Sequence, residues 1–300
     1  MIPESYRHSG QAPIGGLILS MGATIVCSLI LGVVYAFAVS WIPVVQLSAI
    51  ATCALGGAIG GIAGMCARLG KTRNGAVIPF FSVMGAGVAL WMSWVFDAKA
   101  RFGMDEGPLL LDPGALMGYV QLFYNEGFWS MGKGGGATVS GIPLLIIWVI
   151  EGGTILGISF VVARSIIGAI PFCEACDQWT TKTEAFCRFR LPEDFSPMLQ
   201  QIKEGDLSSL NPLEVCIGDT DRSLRVDVCR CSNCEESTYA TINSVRVSVN
   251  GKGETSVQLV PVVTQGKVSP EEFRQLQTIR ESVHKPDLTN LTSALMDSAK

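Results

Sequence analysis

Hydrophobic and polar positions are not interleaved along the first part of the chain; they are segregated into long apolar blocks separated by polar seams. Blocks at 14–39, 44–67 and 76–96 contain no Lys, Arg, Asp or Glu, and a fourth at 142–163 contains one acid, Glu151. A helix needs about 20 such residues to cross a hydrocarbon core about 30 Å thick, because every backbone polar group must be satisfied within the segment. The pattern predicts four membrane-spanning helices over those ranges. The first two are joined by "SWIPVVQ", where Trp41 suits an interface and Pro43 restarts a helix. "AFA" at 36–38 resembles a leader-cleavage site. The run before it exceeds the about 7–15 apolar residues of a signal peptide, so a retained span is expected.

After residue 168 the period changes. "RVDVCR" alternates as a strand does, with Val226, Val228 and Arg230 opposite Arg225, Asp227 and Cys229. "STYATINSVRVSVNGKGETSVQLVPVV" reads as two strands around the turn signal "NGKG". "LPEDFSPMLQQIKEGD" predicts a short helix with Pro192, Glu193 and Asp194 in its first turn and Gly205 at its end. "SPEEFRQLQTIRESV" predicts another, with Ser269 as N-cap, Pro270 at the first helical position and Glu272 completing a capping box. The fold class is therefore a polytopic α-helical membrane protein followed by a small α+β domain. Its expected divisions are a tail at 1–13, a four-helix domain at 14–167, the α+β domain at 168–284 and a flexible tail at 285–300.

Charge supplies the expected orientation. Arg7 precedes the first span, Arg68, Lys71 and Arg73 lie between the second and third, and Arg164 follows the fourth. The 97–141 connection carries Asp97, Asp105, Glu106, Asp112 and Glu126 against Lys99, Arg101 and Lys133. Excess Lys and Arg mark the cytoplasmic side, which places both termini in the cytoplasm of a bacterial inner membrane and 97–141 outside. Lys99 and Arg101, close to the third span, are the one dissent. With a net charge of −4 and no basic stripe, nucleic acid is not an expected partner.

That sidedness decides the chemistry of the cysteines. "PFCEACDQW" carries Cys173 and Cys176, and "DVCRCSNC" repeats the spacing with Cys231 and Cys234. In a reducing compartment two C-x-x-C pairs point to tetrahedral thiolate coordination of zinc rather than to disulfides, with iron as the other metal four thiolates accept. The knuckles resemble those of a zinc ribbon, and the resemblance covers the knuckles alone. Residues 177–230 separate the pairs here, against about 15–20 in the usual pattern, so a folded insert is expected. Asp177 and Glu235 stand where glycine commonly relieves the turn. Cys229 is a candidate extra ligand. Cys187 and Cys216, beside Phe186 and Val215, read as core residues, and His8 and His284 have no ligand spacing. The competing redox reading uses Cys173 and Cys176 as a dithiol, which requires the first cysteine to open a helix.

Within the apolar blocks two features carry function. "GGAIGGIAG" puts Gly56, Gly60 and Gly64 on one helix face, a surface for close packing, with Gly85 and Gly87 of the third block as receivers or a second copy as the alternative. Glu151 sits within the fourth block, where a charge costs at least about 2.5 kcal/mol. It is expected to face inward toward Thr24, Ser82 or a carbonyl, either as packing glue or as a proton or cation relay. Asp112 and Pro113 begin an expected interfacial helix in the outer connection, a lid being the alternative. No nucleotide-binding loop, Ser-His-Asp set or HExxH is present. The function expected is a non-catalytic, membrane-anchored zinc-binding interaction or assembly module, with the bilayer, a protein at the α+β domain and a second copy as candidate partners. A small transporter or channel using Glu151 and the Gly-rich face of the second span is the alternative, and a membrane thiol redox protein using Cys173 and Cys176 the third.

Overall fold

A computed structural model of the chain describes residues 5–41, 45–127, 129–130, 138–192, 195–204, 207–210, 213–216, 222–249, 251 and 255–284. They form two units, Ser9–Ala169 and Met1–His8 with Ile170–Lys300.

The first unit is helical. Its helices are α1 (Ile14–Trp41), α2 (Val45–Leu69), α3 (Val77–Phe102), α4 (Pro113–Glu126) and α5 (Ile142–Gly168). Among the described residues α1, α2, α3 and α5 are long and apolar enough to cross a membrane. α3 runs past the apolar block because its polar end satisfies itself: Arg101 Nε donates to Asp97 at 2.7 Å, one turn apart. α1 packs on α2 and α3, and α5 packs on the same two helices. The face α1 buries is a stripe of small residues at four-residue intervals: Gly16, Ser20, Thr24, Ser28, Gly32 and Ala36. Apart from buried Tyr35, bulky residues such as Ile18, 65% exposed, and Ile30, 60% exposed, point outward. α5 buries Ser159 and Ala163 together with the larger Leu144, Ile155 and Ile167, and exposes Val149, Ile150 and Val161. The small residues inside and large apolar residues outside on α1 invert the water-soluble pattern and let backbones approach closely.

α4 is capped as its sequence predicts, Ala115 N donating to Asp112 Oδ2 at 2.7 Å with Pro113 in the first turn. Its aromatic residues Tyr119 and Phe123 meet the polar end of α3. Tyr119 donates to Asp97 at 2.8 Å, and the Arg101 guanidinium lies 5.6 Å from the Phe123 ring centre. Beyond it β1 (Trp129–Ser130) pairs with β2 (Thr138–Val139), a closure the sequence pattern did not predict.

The second unit contains a small hairpin, β3 (Phe172–Cys173) with β4 (Gln178–Trp179), and a four-stranded antiparallel sheet. The sheet order is β5 (Thr181–Arg190), β6 (Ser223–Arg230), β7 (Thr238–Val249) and β8 (Thr255–Lys267). β7 and β8 are the predicted hairpin; most of its turn lies outside the described residues. One face packs Phe189, Leu224, Val226, Val228 and Ile242 against α6 (Ser196–Lys203) and α7 (Pro270–His284), which supply Ile202, Phe273 and Leu276. α7 has the predicted capping box: Ser269 N donates to Glu272 Oε2 at 2.7 Å and Glu272 N to Ser269 Oγ at 3.3 Å. α6 starts at Ser196, later than predicted, because Pro197 rather than Pro192 occupies the first turn. Glu193, Asp194 and Gly205 lie outside the described residues.

Of the segment read as a tail, residues 5–8 are part of this unit. Ser5 bridges to Gly266 on the edge of β8, and Tyr6 N donates to the Gln265 carbonyl at 2.9 Å. The Tyr6 hydroxyl accepts from Phe172 N at 3.0 Å, and its ring meets Tyr239 edge-on. A short polar segment that pairs through its backbone has no hydrophobic period to announce it.

β5 carries a bulge between Thr183 and Cys187, with Ala185 at φ +49°. Buried Asp227 holds it, accepting from Ala185 N and from Arg225 Nε, each at 2.7 Å. Asp227→Ala removes both bonds and leaves a buried amide and a guanidinium short of a partner, so a loss on the order of 3 kcal/mol is expected. Earlier hydrogen exchange at β5 and β6 amides than in the parent chain would show it; unchanged protection would contradict it.

Candidate metal centre

The two C-x-x-C pairs are carried by turns at the ends of different β ladders. In the first, β3 and β4 pair Phe172 with Trp179 and Cys173 with Gln178, so the intervening residues form a tight turn that carries Cys176. Phe172 is fully buried against the edge of Trp179, ring centres 5.0 Å apart, which anchors the hairpin. Asp177 has φ +48°, the left-handed conformation glycine commonly supplies at this place; Asp is among the few other residues that tolerate it. In the second, β6 ends at Arg230 and the chain turns before β7, closed by Cys231 N donating to the Ser237 carbonyl at 3.0 Å.

These turns bring the sulfurs of Cys173, Cys176, Cys231 and Cys234 within 4.8 Å of one another. Cys173 and Cys234 are 3.5 Å apart at sulfur, and all four are free thiols. Four sulfurs about 2.3 Å from a central zinc would sit about 3.8 Å apart, so this set is the size a tetrahedral thiolate site requires. Residues outside the cysteine pattern serve it. Gln178 Nε2 donates to Cys231 Sγ at 3.0 Å, Asn233 N to the same sulfur at 3.5 Å, and Ser237 Oγ to Cys173 Sγ at 3.2 Å. Donors aimed at sulfur stabilise thiolates and orient ligands. Gln178 and Ser237 were not singled out in the sequence; their signal is position, one two residues after Cys176 and the other three after Cys234.

The electrostatics match that purpose. Burial pushes the Cys231 thiol up, but the Asn233 amide, the Gln178 side chain, the Cys234 amide and the Cys173 thiol outweigh it and bring it down to about 6. Cys176 is pushed up to about 12, first by its hydrogen bond to Cys234 and then by desolvation. One sulfur is ready to ionise while another keeps its proton in hydrogen bonds to its neighbours.

The surplus cysteines lie elsewhere. Cys229 remains in the β6 ladder opposite Tyr239 and is outside the four-sulfur cluster; burial raises its thiol. Cys187 is buried in the sheet core, where desolvation pushes it to about 11, and Cys216 is half-buried. His8 stacks edge-on with Tyr6 and Trp179. Cys173 lies in a strand and Cys176 in a turn, so neither has the helix N-terminus a reactive dithiol requires.

In the helical unit Gly56, Gly60 and Gly64 face α5 rather than Gly85 and Gly87. A Cβ at Gly56 would lie 2.8 Å from the Ile155 carbonyl oxygen, and one at Gly64 2.9 Å from Ile166 Cβ, whereas Gly85 faces Thr24 and Ser28. Glu151 also has other partners than expected. It is hydrogen-bonded to the Tyr35 hydroxyl, while Thr24 and Ser82 bond to the carbonyls of Ser20 and Pro79.

No family model matches the chain, and neither a curated protein nor a solved structure matches it.

Proposed function

We propose that the chain is a multi-pass membrane protein whose sheet-containing unit holds one structural zinc ion through Cys173, Cys176, Cys231 and Cys234. That unit acts as a non-catalytic interaction or assembly module on the cytoplasmic side of a bacterial inner membrane. The observation that carries the reading is the convergence of four free sulfurs within 4.8 Å from turns far apart in sequence. Zinc bound there would join the β3–β4 hairpin to the β6–β7 turn; Gln178 and Asn233 donate to the Cys231 sulfur and Ser237 to that of Cys173, which would orient both as ligands. Iron is the second metal this donor set accepts.

Membrane insertion is supported by four helices long and apolar enough to cross a bilayer and by the stripe of small residues that α1 buries while it exposes Ile18 and Ile30. Both termini on one side is supported by an even number of such helices and by Ser5 and Tyr6 pairing with β8. The cytoplasmic side follows from Arg68, Lys71 and Arg73 between α2 and α3. Partners of the module are the bilayer and a protein meeting the outer part of β8, where Val257, Leu259 and Val260 are exposed. A second copy would have to use a face other than Gly56, Gly60 and Gly64, which α5 covers.

The full chain, purified in detergent under reducing conditions, is expected to contain one zinc per molecule. Of its ten cysteines, four should become reactive toward a thiol reagent only after a chelator is added. A metal-free preparation whose thiol reactivity ignores the chelator would sink the reading; iron in place of zinc would correct the metal and keep the site.

A further inference from the structure

The metal centre leaves unexplained why an acid stands among apolar helices. Counting protons around Glu151 gives an answer. Thr52 Oγ1 has one proton and lies 2.9 Å from the Ser48 carbonyl oxygen, which can only accept. The Tyr35 hydroxyl lies 2.8 Å from Thr52 Oγ1. With the threonine proton committed, the phenol must supply the proton of that bond. Its contact with Glu151 Oε1 is then a hydrogen bond only if the carboxyl supplies a proton in turn. Every bond is satisfied when Glu151 is a neutral acid, with donation running from Glu151 to Tyr35, Thr52 and Ser48.

The ionised state is also accommodated. Tyr35 turns its proton to the carboxylate and Thr52 turns its own to the phenol oxygen, while the Ser48 carbonyl keeps its helical amide partner. Two hydroxyl rotations exchange the states without moving a heavy atom.

Beside the carboxyl is a cavity of about 60 Å³ whose lining includes Tyr35, Ser93, Trp94, Asp97, Trp148 and Glu151. A water needs about 10–15 Å³ and two or more polar partners, and although Ala36, Val39 and Leu90 also line the space, Tyr35, Ser93, Asp97 and Glu151 supply such partners, so it can hold water. Trp94 and Trp148 meet edge-on, 5.0 Å between ring centres, and form its apolar wall. The titratable and charged groups facing Glu151 are Tyr35 on α1 and Asp97 on α3, with Cys53 on α2 acting through Tyr35. Asp97, 8% exposed, accepts from Arg101 and from Tyr119 on α4, so its charge is matched by a neighbour. Tyr35 near the end of α1, Thr52 near the start of α2 and Asp97 near the end of α3 place the cavity in the half of the helical unit opposite its termini.

We propose that Glu151 is a reversible proton-binding site, loaded and unloaded through this cavity, with Tyr35 and Thr52 reversing hydrogen-bond direction as the proton comes and goes. Loading forms one O–H bond at the carboxylate and breaks one at a hydronium ion in the cavity, so the helical unit gains one positive charge.

Infrared difference spectra of the full chain in lipid bilayers, between acid and alkaline pH and with Glu-selective isotope labelling, test this. A protonated-acid carbonyl band is expected that carries the isotope shift, gives way to carboxylate bands on alkalinisation, and moves on transfer to D2O. Glu151→Gln should abolish it. Tyr35→Phe, which keeps the ring, should retain the band at a shifted frequency, because the carboxyl loses its acceptor. Carboxylate bands alone at every pH would overturn the proposal. So would an acid band that neither titrates nor exchanges in D2O, which would mark a sealed structural bond.

Discussion

Cys173→Ser is expected to reduce bound metal to background and to unfold the sheet-containing unit while the helical unit stays folded. Cys173 is fully buried, lies 3.5 Å from Cys234 at sulfur and accepts from Ser237. A serine hydroxyl in its place keeps its proton and cannot act as the fourth thiolate. The binding free energy of a structural zinc is about 10–16 kcal/mol in small domains, comparable with the about 5–15 kcal/mol that separates folded from unfolded states. Losing most of it leaves the residue 177–230 insert tied back only by the sheet core. Elemental analysis should report the lost metal, and amide exchange should show β6 and β7 deprotected with α1, α2, α3 and α5 unchanged. Cys229→Ser is the control, expected to keep one metal because that thiol stays in the β6 ladder. A Cys173→Ser chain with a protected sheet and no metal would leave the thiolate without a structural role.

The cysteine spacing made this centre legible, since C-x-x-C constrains two sulfurs locally and a four-thiolate set has few other uses. The donors to those sulfurs were less legible. Gln178 reaches Cys231 only because β3 and β4 pair in the register that puts Gln178 opposite Cys173, and register is a property of the folded hairpin. The four apolar helices could be read from hydropathy, but their ends could not, because Asp97 and Arg101 continue α3 by neutralising each other. The stripe from Gly16 to Ala36 was as regular as the one from Gly56 to Gly64 and was hidden by the bulky residues around it. Glu151 announced itself, whereas Tyr35 did not: an aromatic near a helix end suits an interface as well as an interior, and only packing selects between them.

Gly60→Leu is the second large effect expected, separating α2 from α5 where Gly61→Leu does nothing comparable. A Cβ at Gly60 would collide with the Ser159 carbonyl oxygen and lie 3.0 Å from Ser159 Cα, both backbone atoms of α5, which no rotamer change can move away. Relief requires the two helices to part along the stretch that Gly56 and Gly64 also hold close. Overpacking costs about 1–3 kcal/mol where side chains can yield, and a backbone contact puts this substitution at or beyond the top of that range. The comparison with Gly61 is informative because both glycines belong to the same nine-residue motif, yet a Cβ at Gly61 meets nothing within 4 Å. Thermal unfolding in detergent, or a cysteine cross-link engineered between α2 and α5, should distinguish the variants. Equal loss in both would mean that helix propensity rather than close approach governs this face. Loss in Gly60→Leu alone would fix α5, and with it Glu151, against α2 by backbone proximity. That proximity matters for the proton site, because Thr52 of α2 can complete the chain from Glu151 through Tyr35 only while α2 and α5 are held together at the glycines between them.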